Sequence, residues 1–448
     1  MQAVWLAFCK FVTLHHCFLM SGPKLSANQV KLDLRLRGNE ARTYTLCAMA
    51  IVAVTCVTLS ANWWNGLSDM YYDYFVSEWM INYEGGFVRR GLTGQLLLWL
   101  TQLTHWPLHL TIVWIDIFSA AAAVGTVVVL CLRRGWYPLL PLAILVGALG
   151  HYRRDFLVLL MVFGLWWLLV RWLKHGGRAC LAGFVVLLSL LILSYEPAFF
   201  FTVPISMVVC AWQLRARHGR LAAMCRLAAI FAVPLLAMAL VCHFNGSVAT
   251  ADAIWDSWLP YISDYYGADK PMGCGVDFLR LPTTDAFALH LRMNYGIGSE
   301  AAPLGFHPNM ILAEVLMLGA MLYLTAMMPI VGIKSASERA RREGLLLGDV
   351  FVVQLLGLLP MLTVLSCDFG RTMLCLIYST TVLVHLLSSA ELWMEVPLVH
   401  GMSVRLLRLT DRWPWLRWWW VYVLVLLCVP FNFVNGVSFS TPLIRSFL

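Results

Sequence analysis

The 448-residue chain is 60% hydrophobic, carries only 12% charged residues and has a mean hydropathy of +0.75, where a soluble chain carries about 25% charged residues. Those values exclude a soluble globular domain, and apolar runs that are continuous rather than alternating exclude a transmembrane β-barrel. The net charge of +8 sits mostly in short loops, so it reports orientation against anionic headgroups and excludes nucleic acid as a partner.

Apolar runs of roughly 15–25 residues suit helices crossing a hydrocarbon core of about 30 Å. The pattern predicts an all-α, polytopic transmembrane bundle of about eleven spans, at 44–62, 107–132, 137–151, 156–173, 179–195, 198–214, 221–243, 308–333, 348–366, 372–391 and 418–436. The segment from Lys24 to Arg42 is basic, as are the loops Arg133–Arg134, Arg171–Arg178, Arg215–Arg220, Lys334–Arg342 and Arg405–Arg417. With eleven spans these basic segments all land on one face, which the positive-inside rule makes cytoplasmic. Residues 1–43 then form a cytoplasmic amino-terminal tail, and 44–448 a single polytopic membrane domain.

Two long segments fall on the opposite, outer face. The first, 63–106, opens with Trp63-Trp64 and an acidic, Tyr-rich stretch, then runs through Leu92 to Leu100, too short to span and suited to a helix lying in the interface. The second, 244–307, has apolar-polar spacing from Ala251 to Tyr266 that suits a short amphipathic helix. Five polar clusters share this face: Asn82 to Gly91, His151 to Asp155, Ser194 to Pro197, the 245–307 loop, and Cys367 to Arg371. Their common side predicts one assembled site.

Within the first cluster, Asp69, Asp73, Glu78 and Glu84 precede Arg89 and Arg90. Arginines on an outer face run against the positive-inside bias, and a guanidinium fork fits phosphate oxygens; the alternative is contact with lipid phosphates. Arg153-Arg154-Asp155 occupies the shortest turn, either facing a polar cavity or anchoring at the interface with Asp155 capping the next helix. Glu196, between Tyr195 and Pro197, is either a carboxyl with a raised pKa able to act as general acid or base, or an ion-pair partner for an outer arginine. Asp368 and Arg371 lie three apart, a spacing that can share one helix face. His307 opens a span after the large loop, where it could meet phosphate or act as a base. The 13 cysteines show no CxxC pair or Cys/His ligand spacing.

An acidic loop after the first span, an interfacial helix and later outer loops with Arg and His resemble the polyprenyl-phosphate-dependent glycosyltransferases of the GT-C class. That resemblance implies catalytic carboxylates in the first outer loop, at Asp69 or Asp73. The stretch His307-Pro308-Asn309 to Gly319 resembles the His-Asn helix start of O-antigen polymerases and ligases, with Pro308 inserted and without the usual spacing at Arg280 and Arg292.

The expectation is therefore a glycosyltransferase or polysaccharide polymerase in a bacterial inner membrane, acting on an undecaprenyl-linked sugar in exopolysaccharide or O-antigen synthesis. Arg89, Arg90 and one of Arg153, Arg154 or Arg371 would hold the (pyro)phosphate. One of Asp69, Asp73, Glu84 or Glu196 would take the acceptor proton, with His307 and Asp368 as further catalytic candidates. The acidic residues leave a divalent metal cofactor open, with no ligand set defined. Partners are the lipid-linked glycan, membrane lipids and polysaccharide-assembly proteins. The alternatives are a flippase or transporter of lipid-linked or anionic solutes, and a non-catalytic membrane subunit of an assembly complex.

Overall fold

The structure, a computed structural model, describes residues 77–134, 154–244, 246–266, 275–281, 285, 288, 338–361, 365 and 369–412. Among these the chain is helical, with no strand: α1 (Gly91–Thr104), α2 (Leu108–Arg134), α3 (Asp155–His175), α4 (Arg178–Ser194), α5 (Ala198–Arg217), α6 (Arg220–His243), α7 (Val248–Tyr266), α8 (Glu338–Pro360), α9 (Phe369–Ser389) and α10 (Pro397–Arg412). Short 3-10 turns occupy Glu78–Met80 and Asp277–Leu279. Five helices contain stretches long and apolar enough to cross a membrane: Leu108–Thr126, Asp155–His175, Ala198–Arg217, Arg220–His243 and Arg341–Pro360. Arg178–Ser194 and Cys375–Ser389 are shorter apolar helices. The protein is thus of the helical membrane type. The runs expected at 44–62, 137–151, 308–333 and 418–436 lie outside the described residues.

Each helix is set by its apolar run and its ends. In α3 the buried residues Phe156, Leu159, Val162, Trp166, Leu169 and Leu173 recur at three- and four-residue steps, which fills one side of the helix. Asp155 stands in its first turn and Lys174 and His175 in its last, matching the helix dipole. Gly176, at φ 71°, closes the helix by donating its N–H to the Trp172 carbonyl. That sharp reversal lets α4 return antiparallel along α3. The core of the bundle is α3 against α2, α4 and α9, continued by α5 against α6 and α8. α6 presents Leu221, Met224, Val233 and Leu236 outward, more than half exposed, a face suited to lipid.

Pro204 inside α5 supplies no N–H to the Phe200 carbonyl one turn back. α8 uses this place. A Cβ on Gly357 would lie 2.3 Å from that carbonyl oxygen, so only glycine lets the helices come so near. One turn earlier, Gln354 donates to the Phe201 carbonyl (2.9 Å) and to Ser379 Oγ (2.6 Å), and accepts from Thr380 Oγ1 (2.6 Å). Trp166 of α3 donates to the same Ser379 (3.0 Å). A buried polar network with its partners in place therefore fixes the register of α3, α5, α8 and α9.

α10 replaces part of what composition presents as a basic loop. Asp349 of α8, fully buried, accepts the Val396 N–H (2.9 Å) and the Ser403 hydroxyl (2.5 Å), with His400 Nδ1 at 3.1 Å. Gly348 gives Ser403 room to approach. The exposed side of α10 carries Leu398 and Met402 and then Arg405, Arg408 and Arg412, the pattern of a helix at a membrane surface.

Candidate functional site

The site is built around residues 77–83, expected as surface loop and found buried between α1 and α7. Ser77, Glu78, Trp79, Met80 and Asn82 are at most 1% exposed. From one side α1 presses in at Gly94, where a Cβ would fall 2.0 Å from the Ile81 carbonyl oxygen. From the other, Trp258 donates to the Met80 carbonyl (2.7 Å) and Asn82 donates to Ser257 (2.8 Å). Ser77 Oγ accepts the Gly275 N–H at 2.6 Å. Arg280 pins the following turn by pairing with Asp277 (2.9 Å) and Asp252 (2.8 Å). Replacing Gly94 with Ala is expected to lift α1 off this segment at a cost of about 1–3 kcal/mol, the usual penalty of overpacking; a lower thermal midpoint in detergent checks it.

Four charged side chains meet where α1, α3 and the α4–α5 turn come together. Arg90 closes on Glu196 with Nε at 2.8 and 3.0 Å from the two carboxylate oxygens and Nη2 at 2.8 Å. Its Nη1 donates to Glu78 at 2.8 Å. Glu78, 1% exposed, also faces Arg154, whose Nη2 lies 3.8 Å from the second carboxylate oxygen. Arg154 in turn donates from Nη1 to the Arg90 carbonyl at 3.1 Å. The Tyr195 ring lies 5.7 Å below the Arg90 guanidinium, within cation–π range. Arg90 caps α1 in the left-handed region, φ 63°, a conformation that costs an L side chain about 1 kcal/mol or more. The paired carboxylates offset that cost.

This geometry decides between the two readings of Glu196. Burial raises its carboxyl, but the charge and hydrogen bonds of Arg90, with the charge of Arg89 behind, outweigh burial and lower it to about 2. The raised carboxyl expected from its aromatic flanks is reversed, and the ion-pair reading is the one observed. A carboxylate held so strongly by a guanidinium is a poor general base near neutrality.

Glu84 stands exposed at the rim, where Gln95 Nε2 donates to it at 3.0 Å and Asn82 Oδ1 accepts its backbone N–H. Gln95 Oε1 also accepts the Tyr83 N–H, so α1 and the rim loop are stitched through one amide side chain. The Tyr83 ring stacks on Phe87, 5.2 Å between centroids, and lies across Gly91, where a Cβ would be 2.3 Å from it. Burial pushes its hydroxyl up to about 12. Arg89 is half-buried beside this loop and close enough to act on Glu196.

Of the expected site residues, the structure brings Arg90, Arg154 and Glu196 into direct contact and sets Arg89 and Glu84 at the rim. Arg154 and Asp155 are 1% exposed, while Tyr152 and Arg153, on which the interfacial-anchor reading rests, lie outside the described residues. The helix starts at Asp155 itself, without a side-chain capping hydrogen bond. Arg371 lies in the first turn of α9, with its side chain outside the described residues, and Asp69, Asp73, Arg153, His307 and Asp368 lie outside them altogether. Among the described residues no group of three His, Cys, Asp or Glu side chains is placed to hold a metal ion. The hub, Glu78, was one acidic residue among four in its segment; the Trp79-Met80-Ile81 run beside it was the only signal of its burial. Asp116, in α2, which the sequence places inside the second span as either neutral or satisfied by a neighbour, is fully buried and neither carboxylate oxygen has a hydrogen-bond partner.

Comparison of the sequence with protein-family models and curated proteins, and of the structure with solved structures, finds no significant match.

Proposed function

We propose that this chain is a membrane-embedded transferase of sugars from an undecaprenyl-linked donor, working at the outer face of a bacterial inner membrane in cell-surface polysaccharide synthesis. The observation that carries the reading is the convergence of Arg89, Arg90 and Arg154 with buried carboxylates under α1. The outward side of α1 shows Leu96, Trp99, Leu100 and Leu103, apolar surface along which a prenyl chain can lie. A polar phosphate site beside an apolar shelf is the arrangement a lipid-phosphate donor requires.

Within this reading the residues divide by where they sit. Arg90 and Arg154 are committed to Glu78 and Glu196, so they hold the site in shape and supply a positive field. Arg89, at the rim, is the arginine assigned to the donor phosphate, with Arg153 and Arg371 as further candidates. The base that takes the acceptor proton is Asp69 or Asp73, in the segment leading into the buried Glu78 turn, with Glu84 as the rim alternative. A divalent metal, if used, would be held by that same acidic segment. The eleven-span topology, with basic loops inside and the site outside, belongs to this proposal, as do contacts with polysaccharide-assembly proteins.

In cells carrying only the variant chain, Arg89→Ala is expected to lower polymer output on the order of a hundredfold, the usual scale for removing one donor to developing charge. The amount of inserted protein should stay normal, and unextended lipid-linked units should accumulate on the outer leaflet. Unchanged polymer and unchanged intermediates in Arg89→Ala would sink the reading. Accumulation on the inner leaflet would instead support a flippase, the second reading, which the buried Asp116 favours because carboxyls inside spans commonly serve transport paths.

A further inference from the structure

At the end of the bundle opposite the ion-pair cluster, two tight turns bring basic side chains together. His175 closes α3, which opens at Asp155, roughly 30 Å away at 1.5 Å per residue. The end of α3 and the start of α4 carry Arg171, Lys174 and Arg178; the end of α5 and the start of α6 carry Arg215, Arg217 and Arg220. All six are exposed. The two turns are clamped to one another. Gln213 and Arg217 both donate to the Leu173 carbonyl, at 3.0 and 3.3 Å. A Cβ on Gly176 would lie 3.6 Å from Arg217 Nη1, so that guanidinium lies over the neighbouring turn. Arg171 rests on the Trp167 ring at 5.1 Å, within cation–π range, and Arg226 of α6 donates back to His218 Nε2.

No carboxylate answers these charges. From Phe156 to Ala251 the sequence holds a single acidic residue, Glu196, and it belongs to the cluster at the far end. α8 runs antiparallel to α5, with Gln354 and Gly357 beside the start of α5, so its own start lies at the basic end. The carboxylates there pair with arginines of α8: Glu338 with Arg342 at 3.1 Å, and Glu343 with Arg339 at 3.5 Å. Among the described residues none of the six cations pairs with a carboxylate. The positive-inside bias asks for cations near the ends of spans, but it does not ask for two turns clamped where like charges repel. A group with several anionic oxygens fits the arrangement, since guanidinium forks take phosphate oxygens in pairs. The surface beside it is apolar. α6 leaves the basic end from Arg220 with Leu221 at 76% and Met224 at 60% exposed, and Leu235 and Leu240 continue that open side along the helix.

We propose that the α3–α4 and α5–α6 turns form a binding site for one acidic phospholipid, with its acyl chains lying along the open side of α6. Arg178, Arg215 and Arg220 supply the guanidinium forks for its phosphate, while Arg217 is spent on the clamp. A free phosphate would meet the cations and leave the apolar face unused. A lipid meets both, because headgroup and chains join where Arg220 gives way to Leu221. Bound there, it opposes the crowded cations and ties the two helix pairs together from outside. The site is independent of the transferase reading: it uses none of that reading's residues and stands if the sugar chemistry fails.

The test is native mass spectrometry of the purified full chain in detergent, counting bound lipid during titration. The probes are phosphatidylglycerol, phosphatidylcholine with the same acyl chains, and glycerophosphoglycerol, the acidic headgroup without chains. The expected result is one phosphatidylglycerol per chain, held at least tenfold more tightly than either of the others. Equal binding of the two lipids overturns the proposal without recourse to a variant. Headgroup alone binding as tightly as the whole lipid overturns it too, in favour of a soluble anion. The triple variant Arg178→Gln, Arg215→Gln, Arg220→Gln should weaken phosphatidylglycerol on the order of fivefold for each cation removed. A control with the same change of charge, Arg405→Gln, Arg408→Gln, Arg412→Gln on exposed positions of α10, should leave that affinity in place. Equal losses in the two triple variants would mean diffuse attraction rather than a site, and would overturn the proposal.

Discussion

Glu78→Gln is expected to destabilise the protein by about 3–5 kcal/mol, the scale measured when one partner of a buried ion pair is removed. Glu78 is 1% exposed and its two oxygens face different arginines, Arg90 at 2.8 Å and Arg154 at 3.8 Å. Glutamine keeps the shape and removes the charge, so the guanidinium of Arg154, itself buried, loses the carboxylate that opposes it. The loss is not confined to one contact. Arg90 holds the left-handed cap of α1, and Arg154 holds the Arg90 carbonyl, so weakening the hub loosens both helix starts together. Thermal or denaturant unfolding in a fixed detergent, with yield of inserted protein, measures it. Adding Arg154→Met to Glu78→Gln should recover part of the loss, because an unopposed buried cation goes with it. If Glu78→Gln melts like the wild type, the cluster is not the structural hub described here.

The helices were legible because their causes are local. Apolar runs ending in charge placed α2, α3, α4, α5 and α6 close to their observed bounds, and the spacing from Ala251 to Tyr266 is that of α7, whose Ala251, Ile254, Trp255, Trp258 and Ile262 are all fully buried. The helix after Arg90 was legible for the same reason, from an apolar run of its own. What was hidden depends on pairings across the chain. In one of its two readings Glu196 was an ion-pair partner for an outer arginine, but nothing local singles out Arg90, 106 residues away, or points to the carbonyl contact from Arg154 64 residues away. The depth of residues 77–83 was hidden too, since their burial is imposed by Gly94 on one side and Trp258 on the other rather than by their own run. α10 was missed because its docking rests on one acid, Asp349, in another helix. Asp69, Asp73 and His307, which the family resemblance selects, lie outside the described residues.

The Glu196–Arg90 pair is expected to make the protein acid-sensitive in a defined window. A glutamate free in the unfolded chain titrates near 4.5, and in the folded protein Glu196 is lowered to about 2. The depressed value fixes the sign: the pair contributes its stability above the unfolded value, and that contribution fades as pH falls from about 4.5 through about 2. At 1.36 kcal/mol per pH unit the full contribution is about 3 kcal/mol. The Glu196 side chain is 15% exposed, so solvent screening takes little from it. Melting curves of the wild-type chain in detergent across acid pH should therefore fall steeply within that window. Glu196→Gln should begin lower at neutral pH, with a flatter fall, because its side chain has no proton to take up; other carboxylates supply what slope remains. Equal slopes for the two proteins would mean that Arg90 does not hold Glu196 in solution as it does here. Glu196 would then be free to act as the acid or base that its neighbours Tyr195 and Pro197 first suggested, and the division of labour between a structural pair and a rim arginine would have to be redrawn.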